Sequence, residues 1–201
     1  RVDFSNRHLC FDTGEKLDYD KLILATGSKP NYFGWPGQDL KGVQGLYSYQ
    51  DLEQMENRSK KISHAVIVGG GLIGVEMAEM FSTREIPVTF LVREKNFWSN
   101  VLPPEESKLV GRHIKEHHID LRFSTELSEI LDDGNGEVKA VKTSSGELIP
   151  CEFVGLTAGV RPNIDFLKGS ELDTNRGIVV NRKFETNIPE VYAIGVKFRT
   201  L

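Results

Sequence analysis

No apolar run in the 201 residues approaches the roughly 20 needed to cross a bilayer as a helix. Nor does a charged leader followed by an apolar stretch open the sequence, so a soluble, cytoplasmic protein is expected. Cysteine is scarce: Cys10 and Cys151 are too few for a disulfide framework and are not spaced as CxxC. That excludes a zinc ribbon or a redox pair built from these two, and each thiol reads as a small buried hydrophobe. Charge of one sign is also missing, since 25 Lys and Arg stand against 29 Asp and Glu, a net charge of -4. Phosphate backbones and anionic lipid surfaces attract a basic face, so neither nucleic acid nor membrane is an expected partner. What remains is an ordinary globular composition, 39% hydrophobic with 19 Gly, long enough for one large domain or two small ones.

An internal repeat is the most informative feature. Gly14 to Asn31 (GEKLDYDKLILATGSKPN) lies without gaps on Gly146 to Asn163 (GELIPCEFVGLTAGVRPN), an offset of 132 residues. Six of the eighteen positions are identical: Gly14/Gly146, Glu15/Glu147, Leu24/Leu156, Gly27/Gly159, Pro30/Pro162 and Asn31/Asn163. Four more are chemically alike, which points to duplication. In both copies a turn leads into a strand, then a short apolar strand, then a small-residue turn at Thr26-Gly27 or Ala158-Gly159. Glycine in such a turn lets backbone approach a neighbour that a Cβ would exclude.

The second copy is preceded by a βαβ pattern. His64 to Val68 reads as a buried strand, Gly69-Gly70-Gly71-Leu72-Ile73-Gly74 as a glycine turn, and the following residues as a helix with Ile73, Met77, Met80 and Phe81 near one face. Val88 to Val92 is the next strand, Pro103 and Pro104 open a helix to about His118, and Leu121 to Phe123 forms another strand. Leu127 to Leu131, Glu137 to Thr143 and Glu147 to Ile149 alternate as an antiparallel meander, joined first by the turn Asp132-Asp133-Gly134-Asn135-Gly136. Phe153 to Leu156 then returns to the parallel sheet. By symmetry the first copy has its own glycine turn, which falls before residue 1, so the sequence is expected to begin inside a domain. The strands at Gly177 to Val180 and Val191 to Ile194 complete that domain. The expected fold is α/β: residues 36–160 form a Rossmann-like domain with an antiparallel β-meander, inserted between the two halves, residues 1–35 and 161–201, of another domain.

A GxGxxG carries weight when it follows a strand and opens a helix, as here. Gly69 allows the tight turn, Gly71 lets backbone reach a pyrophosphate, and Gly74 permits close packing of helix on strand, while the helix start offers free N–H donors. The end of the second strand separates NAD from NADP, because a carboxylate accepts from a ribose 2′-hydroxyl and an arginine pairs with a 2′-phosphate. Here Val92 takes the usual acidic place, with Arg93 next and Glu94 displaced by two. Both readings stay open at this point.

These residues resemble the pyridine nucleotide-disulfide oxidoreductase superfamily, in its rubredoxin reductase, nitrite reductase and NADH oxidase-like branch. Tyr19 to Gly27, Gly69 to Ala78, Gly159 to Asn163 and Thr186 to Gly195 carry the resemblance in the family's order over nearly the whole chain. It implies an FAD-dependent NAD(P)H oxidoreductase in which hydride passes from nicotinamide to flavin, with residues 36–160 as the NAD(P)-binding domain, residues 1–35 and 161–201 as a partial FAD-type domain, and NAD(P)H and FAD as cofactors. The acceptor is then a rubredoxin-, ferredoxin- or nitrite-type system or O2, and a homodimer is compatible. Cofactor-binding residues on this resemblance are Gly69, Gly70, Gly71, Leu72, Ile73, Gly74, Glu76, Arg93, Glu94, Ala158, Gly159, Ala25, Thr26 and Gly27. Glu76 is expected near the nicotinamide end. On this resemblance the protein holds the two rings in contact and shields them from water, so few acid or base side chains are needed and no catalytic residue is assigned. Two departures stand out: Val196 occupies the place of the family's flavin-binding aspartate, and no CxxC occurs in the middle domain. The alternative is a nucleotide-binding or regulatory module without turnover.

Other constellations carry less. His113 and His117 lie four apart on a helix, but no third ligand is evident and Lys115, Glu116 and His118 mark a solvated face, so no metal is expected. Trp35 and Trp98 read as loop packing, with an acceptor surface as the alternative. Ser48-Tyr49-Gln50-Asp51 reads as a helix cap.

Overall fold

The computed structural model describes residues 1–195 and the backbone of residues 199–200. They divide into two compact units, Arg1–Lys29 with Arg161–Leu201, and Pro30–Val160.

The Pro30–Val160 unit is built on a parallel five-stranded sheet in the order Val43–Gln44, Phe153–Leu156, Ala65–Val68, Val88–Val92, Asp120–Phe123. Side chains alternate between its faces, and both faces are covered. Ala65, Ile67, Val88, Phe90 and Phe153 meet the helices Leu72–Ser82 and Pro104–Glu116, with Met77, Phe81 and Ile114 completing that layer. Val66, Val68, Leu91, Val154 and Leu156 meet the antiparallel meander Leu127–Asp132, Val138–Thr143, Leu148–Pro150. Burial on both sides is why the three central strands are near-continuous apolar runs, broken by Thr89, rather than alternating ones. Phe81 and Phe153 anchor the helical layer with ring centroids 4.7 Å apart.

Local chemistry sets the element ends. Ser48 caps the helix Tyr49–Ser59: its hydroxyl accepts from the Asp51 N–H at 3.2 Å, and the Asp51 carboxylate accepts from the Ser48 N–H at 2.8 Å. The third helix stops at Glu116 rather than His118, because His118 adopts φ 61 and ends it in the left-handed region. In the turn before Val138 the backbone and side-chain N–H groups of Asn135, with the Glu137 N–H, donate to Asp133 and hold its carboxyl down at about 2.

Cys151 is only 1% exposed in the meander layer, and burial pushes its thiol up to about 12, whereas Cys10 is half-buried on the strand His8–Cys10. A thiol reagent at pH 8 is therefore expected to titrate one cysteine in the native protein and two in denaturant. Reaction of both at the same rate under native conditions would contradict this packing.

The other unit repeats part of the plan. Its antiparallel strands Val2–Asp3, His8–Cys10 and Lys16–Asp18 lead into Leu22–Leu24, which pairs in parallel with Val191–Ala193. Leu22, Leu24, Val191 and Ala193 are buried with Leu167, Ile178 and Val180. Lys168, Lys29 and Arg161 surround Asp165 and keep its carboxyl well below the usual range. The strand expected from Gly177 is confined to Val179–Val180. Val196 lies outside the described residues.

The duplication is visible in backbone conformation. Gly14 and Gly146 have φ 86 and 89, and Gly27 and Gly159 have φ 65 and 88. The repeated asparagines also have a role. The Asn31 N–H donates to the Gly159 carbonyl at 3.0 Å, and the Asn163 N–H donates to the Gly27 carbonyl at 3.0 Å. Each copy's asparagine thus holds the other copy's glycine turn.

Candidate functional site

The glycine turn sits where the central strand Ala65–Val68 ends and the helix Leu72–Ser82 begins. Gly69 has φ 120, and a Cβ there would stand 2.8 Å from the carbonyl of Thr157. Thr157 closes that contact: its N–H donates to the Val68 carbonyl at 2.8 Å, and its hydroxyl lies 3.0 Å from the same oxygen and 3.2 Å from the Gly69 carbonyl. Gly74, one helical turn on, would press a Cβ against the Gly69 carbonyl, Thr157 Oγ1 and Phe90 Cζ. Helix and strand therefore approach at backbone distance. Gly71 differs, for a Cβ there would meet nothing within 4 Å. It is the N-cap, in an extended conformation without a side-chain cap, and no acidic residue occupies the first turn. The helix start thus presents uncapped N–H donors and the positive end of its dipole to open space.

That space is a cleft of about 610 Å³ at the carboxyl ends of the parallel strands, bordered there by Val68, Leu91 and Thr157. Open α/β sheets bind ligands at this end. Gly69, Gly70, Gly71, Leu72, Ile73, Arg93, Glu94, Ala158 and Gly159 all line it. Arg93 follows the last residue of the second strand and is 71% exposed, with its guanidinium 3.1 Å from Glu94 Oε1. Ala158 and Gly159 form the facing turn, held by the Asn31 side chain, which donates to the Ala158 carbonyl at 3.4 Å. Gly74 lies behind the wall. Glu76 is exposed on the helix and does not border the cleft, and Ala25, Thr26 and Gly27 belong to the other unit.

Sequence reasoning missed part of the wall. Phe33, Trp35 and Trp98 line the cleft rather than serving only as loop packing, and Phe33 meets Trp35 edge to face at 5.3 Å. Leu127 adds a further apolar surface. Thr157 precedes the repeated turn, so the duplication offered a signal for it. The aromatics come from loops whose approach only the folded chain defines.

Comparison with known proteins adds a family. Residues 1–196 match the family model described as pyridine nucleotide-disulphide oxidoreductase. A nitrite reductase [NAD(P)H] of Bacillus subtilis is 30% identical over 195 residues, covering 97% of this chain and 24% of that protein. The NADH-rubredoxin oxidoreductase of Clostridium acetobutylicum is 30% identical over 198 residues, covering 96% of this chain and 47% of that protein. A ferredoxin reductase from Rhodopseudomonas palustris superposes with a TM-score of 0.90 at 27% identity, covering 98% of this chain and 48% of that one. The chain thus spans between about a quarter and a half of the length of these relatives.

Proposed function

The chain belongs to the pyridine nucleotide-disulphide oxidoreductase family, and on that premise we propose that its Pro30–Val160 unit binds NAD(P)H and that the protein is an FAD-dependent NAD(P)H oxidoreductase. The observation that carries the reading is the open space in front of Gly71, at an uncapped helix start on the carboxyl edge of a parallel sheet. The main chain of Gly69, Gly70 and Gly71, with the N–H groups of Leu72 and Ile73, holds the pyrophosphate. Arg93 and Glu94 meet the adenosine ribose, and the Ala158-Gly159 turn faces the nicotinamide half. Glu76 orients that half only if its side chain turns toward the cleft from its exposed position. Phe33, Trp35 and Trp98 shield the nucleotide from water.

The second unit fits a flavin nucleotide in one respect. Gly27 and Gly195 follow the parallel strands Leu22–Leu24 and Val191–Ala193 with φ 65 and 101, and a Cβ at Gly195 would meet nothing within 4 Å. Ala25, Thr26 and Gly27 are accordingly the residues proposed to approach FAD. When bound, the nicotinamide supplies a hydride and the flavin accepts it. The chain's part is to bind, orient and exclude water, so no side chain is assigned as acid or base. A rubredoxin-, ferredoxin- or nitrite-type system, or O2, is the proposed acceptor, and a homodimer and a cytoplasmic location belong to the same reading. Among the described residues no helix is long and apolar enough to cross a membrane.

Steady-state oxidation of NADH and NADPH by the purified protein, with added FAD and a dye acceptor, tests the proposal. Saturable, flavin-dependent turnover is expected. Nucleotide binding with no turnover would favour a non-catalytic module instead.

A further inference from the structure

Asparagine is a thermolabile residue, and its neighbours decide which copy in a chain reacts. Every other asparagine in the sequence precedes a residue with a side chain, whereas Asn135 precedes Gly136. Without a Cβ beside it, the Gly136 nitrogen is open to an approach that a larger residue would hinder. We propose that the Asn135–Gly136 peptide is a self-modification site, at which the folded chain converts Asn135 to aspartate and isoaspartate with the Asp132 carboxylate as base.

The turn that joins Leu127–Asp132 to Val138–Thr143 brings the reacting groups together. Asn135 is exposed, and a Cβ on Gly136 would meet nothing within 4 Å, so water reaches the peptide between them. The Gly136 N–H donates to Asp132 Oδ1 at 2.9 Å, within the reach required of a general base. The same oxygen accepts from the Gly134 N–H at 2.7 Å, which fixes the carboxylate in place. The Asn135 side-chain amide donates to Asp133 Oδ2 at 3.3 Å, and the Asn135 main-chain N–H donates to Asp133 Oδ1 at 2.8 Å. Asp133 thus orients the amide that is lost, and Asp132 faces the proton that must leave.

The reaction balances with water as the only co-reactant. The Gly136 nitrogen bonds to Asn135 Cγ and gives its proton to Asp132, the Cγ–Nδ2 bond breaks, and the proton departs with the amide as ammonia. The succinimide so formed takes up a water at either of its carbonyl carbons. Opening at Cγ gives aspartate, and opening at the main-chain carbon gives isoaspartate, with an extra methylene in the backbone. Both products place a new carboxylate beside Asp132, Asp133 and Glu137. Of the groups that hold the Asp133 carboxyl down at about 2, the Asn135 main-chain N–H survives in the aspartate product and the side-chain N–H is lost, so that carboxyl rises. The Gly136 carbonyl accepts from the Lys41 N–H at 3.0 Å, a contact that the lengthened isoaspartyl backbone displaces.

The test is incubation of the full chain at neutral pH, warm but below its melting transition, with each asparagine followed over time by peptide mass spectrometry and the fold by circular dichroism. Conversion at Asn135 is expected to outpace that at every other asparagine by at least about tenfold. Asp132→Ser keeps a side-chain acceptor for the turn but removes the base, and is expected to slow the conversion at least about tenfold. Gly136→Ala sets a Cβ beside the attacking nitrogen and is expected to slow it by at least as much. A smaller lead for Asn135 in the parent protein overturns the proposal, as does conversion that begins only once the chain is unfolded in urea. A smaller effect of Asp132→Ser in a folded variant overturns the assignment of the base.

Discussion

Gly71→Val is expected to remove NAD(P)H binding from a protein that still folds. The backbone there has φ -108 and ψ -178, an extended conformation open to any residue, and an added Cβ would meet nothing within 4 Å. The cost to the fold is that of a poorer N-cap, about 1 kcal/mol. Binding fares differently, because the isopropyl group would stand in the open space in front of the helix start, where the pyrophosphate must approach the N–H groups. Loss of those charge-assisted hydrogen bonds together with steric exclusion predicts at least about a hundredfold weaker binding. Calorimetry with NADH and NADPH, beside a thermal melt, separates the two effects. Affinity within threefold of the parent protein would remove Gly71 from the site.

Gly74→Val is expected to do the reverse and damage the fold first. A Cβ at Gly74 would meet the Gly69 carbonyl, Thr157 Oγ1 at 2.8 Å and Phe90 Cζ at 2.9 Å. One of these is main chain, and Phe90 is 0% exposed in the helical layer, so neither can move aside without disturbing the sheet. Overpacking of this kind costs about 3 kcal/mol or more, a large share of the roughly 5 to 15 kcal/mol that holds a domain folded. The melting temperature should fall by about 10 °C or more. A melt within about 2 °C of the parent would mean that helix and strand are not in backbone contact. Two glycines three residues apart thus divide the labour: one keeps space for a ligand, the other brings helix and strand together.

Much of this was legible in the residues. The strand Val88–Val92 and the strand Phe153–Leu156 begin and end where apolar runs and flanking turns put them, and Ser48 caps a helix as its spacing with Asp51 requires. The repeat announced two glycine turns of like conformation, and Gly27 and Gly159 both have positive φ. Where the reading slipped, a backbone conformation decided the matter. His118 is an unexceptional residue in a helical pattern until its φ of 61 ends the helix at Glu116. The strand expected from Gly177 is confined to Val179–Val180, and nothing in its composition marks that length.

By itself the sequence determined the βαβ unit, the glycine turn and the duplication. Each depends on neighbours a few residues away: periodicity sets strand or helix, and glycine alone accommodates the φ and the close approach that Gly69 and Gly74 require. Only the tertiary structure decided which side chains surround the cleft. Phe33 and Trp35, Trp98 and Leu127 come from segments far apart in the chain, and Asn31 reaches the turn at Gly159 from the other copy of the repeat. It also placed Arg93 against Glu94 at the rim and left Glu76 outside the wall. Backbone conformation answers to local sterics and hydrogen bonding, whereas a side chain's surroundings are set by which distant surfaces pack together.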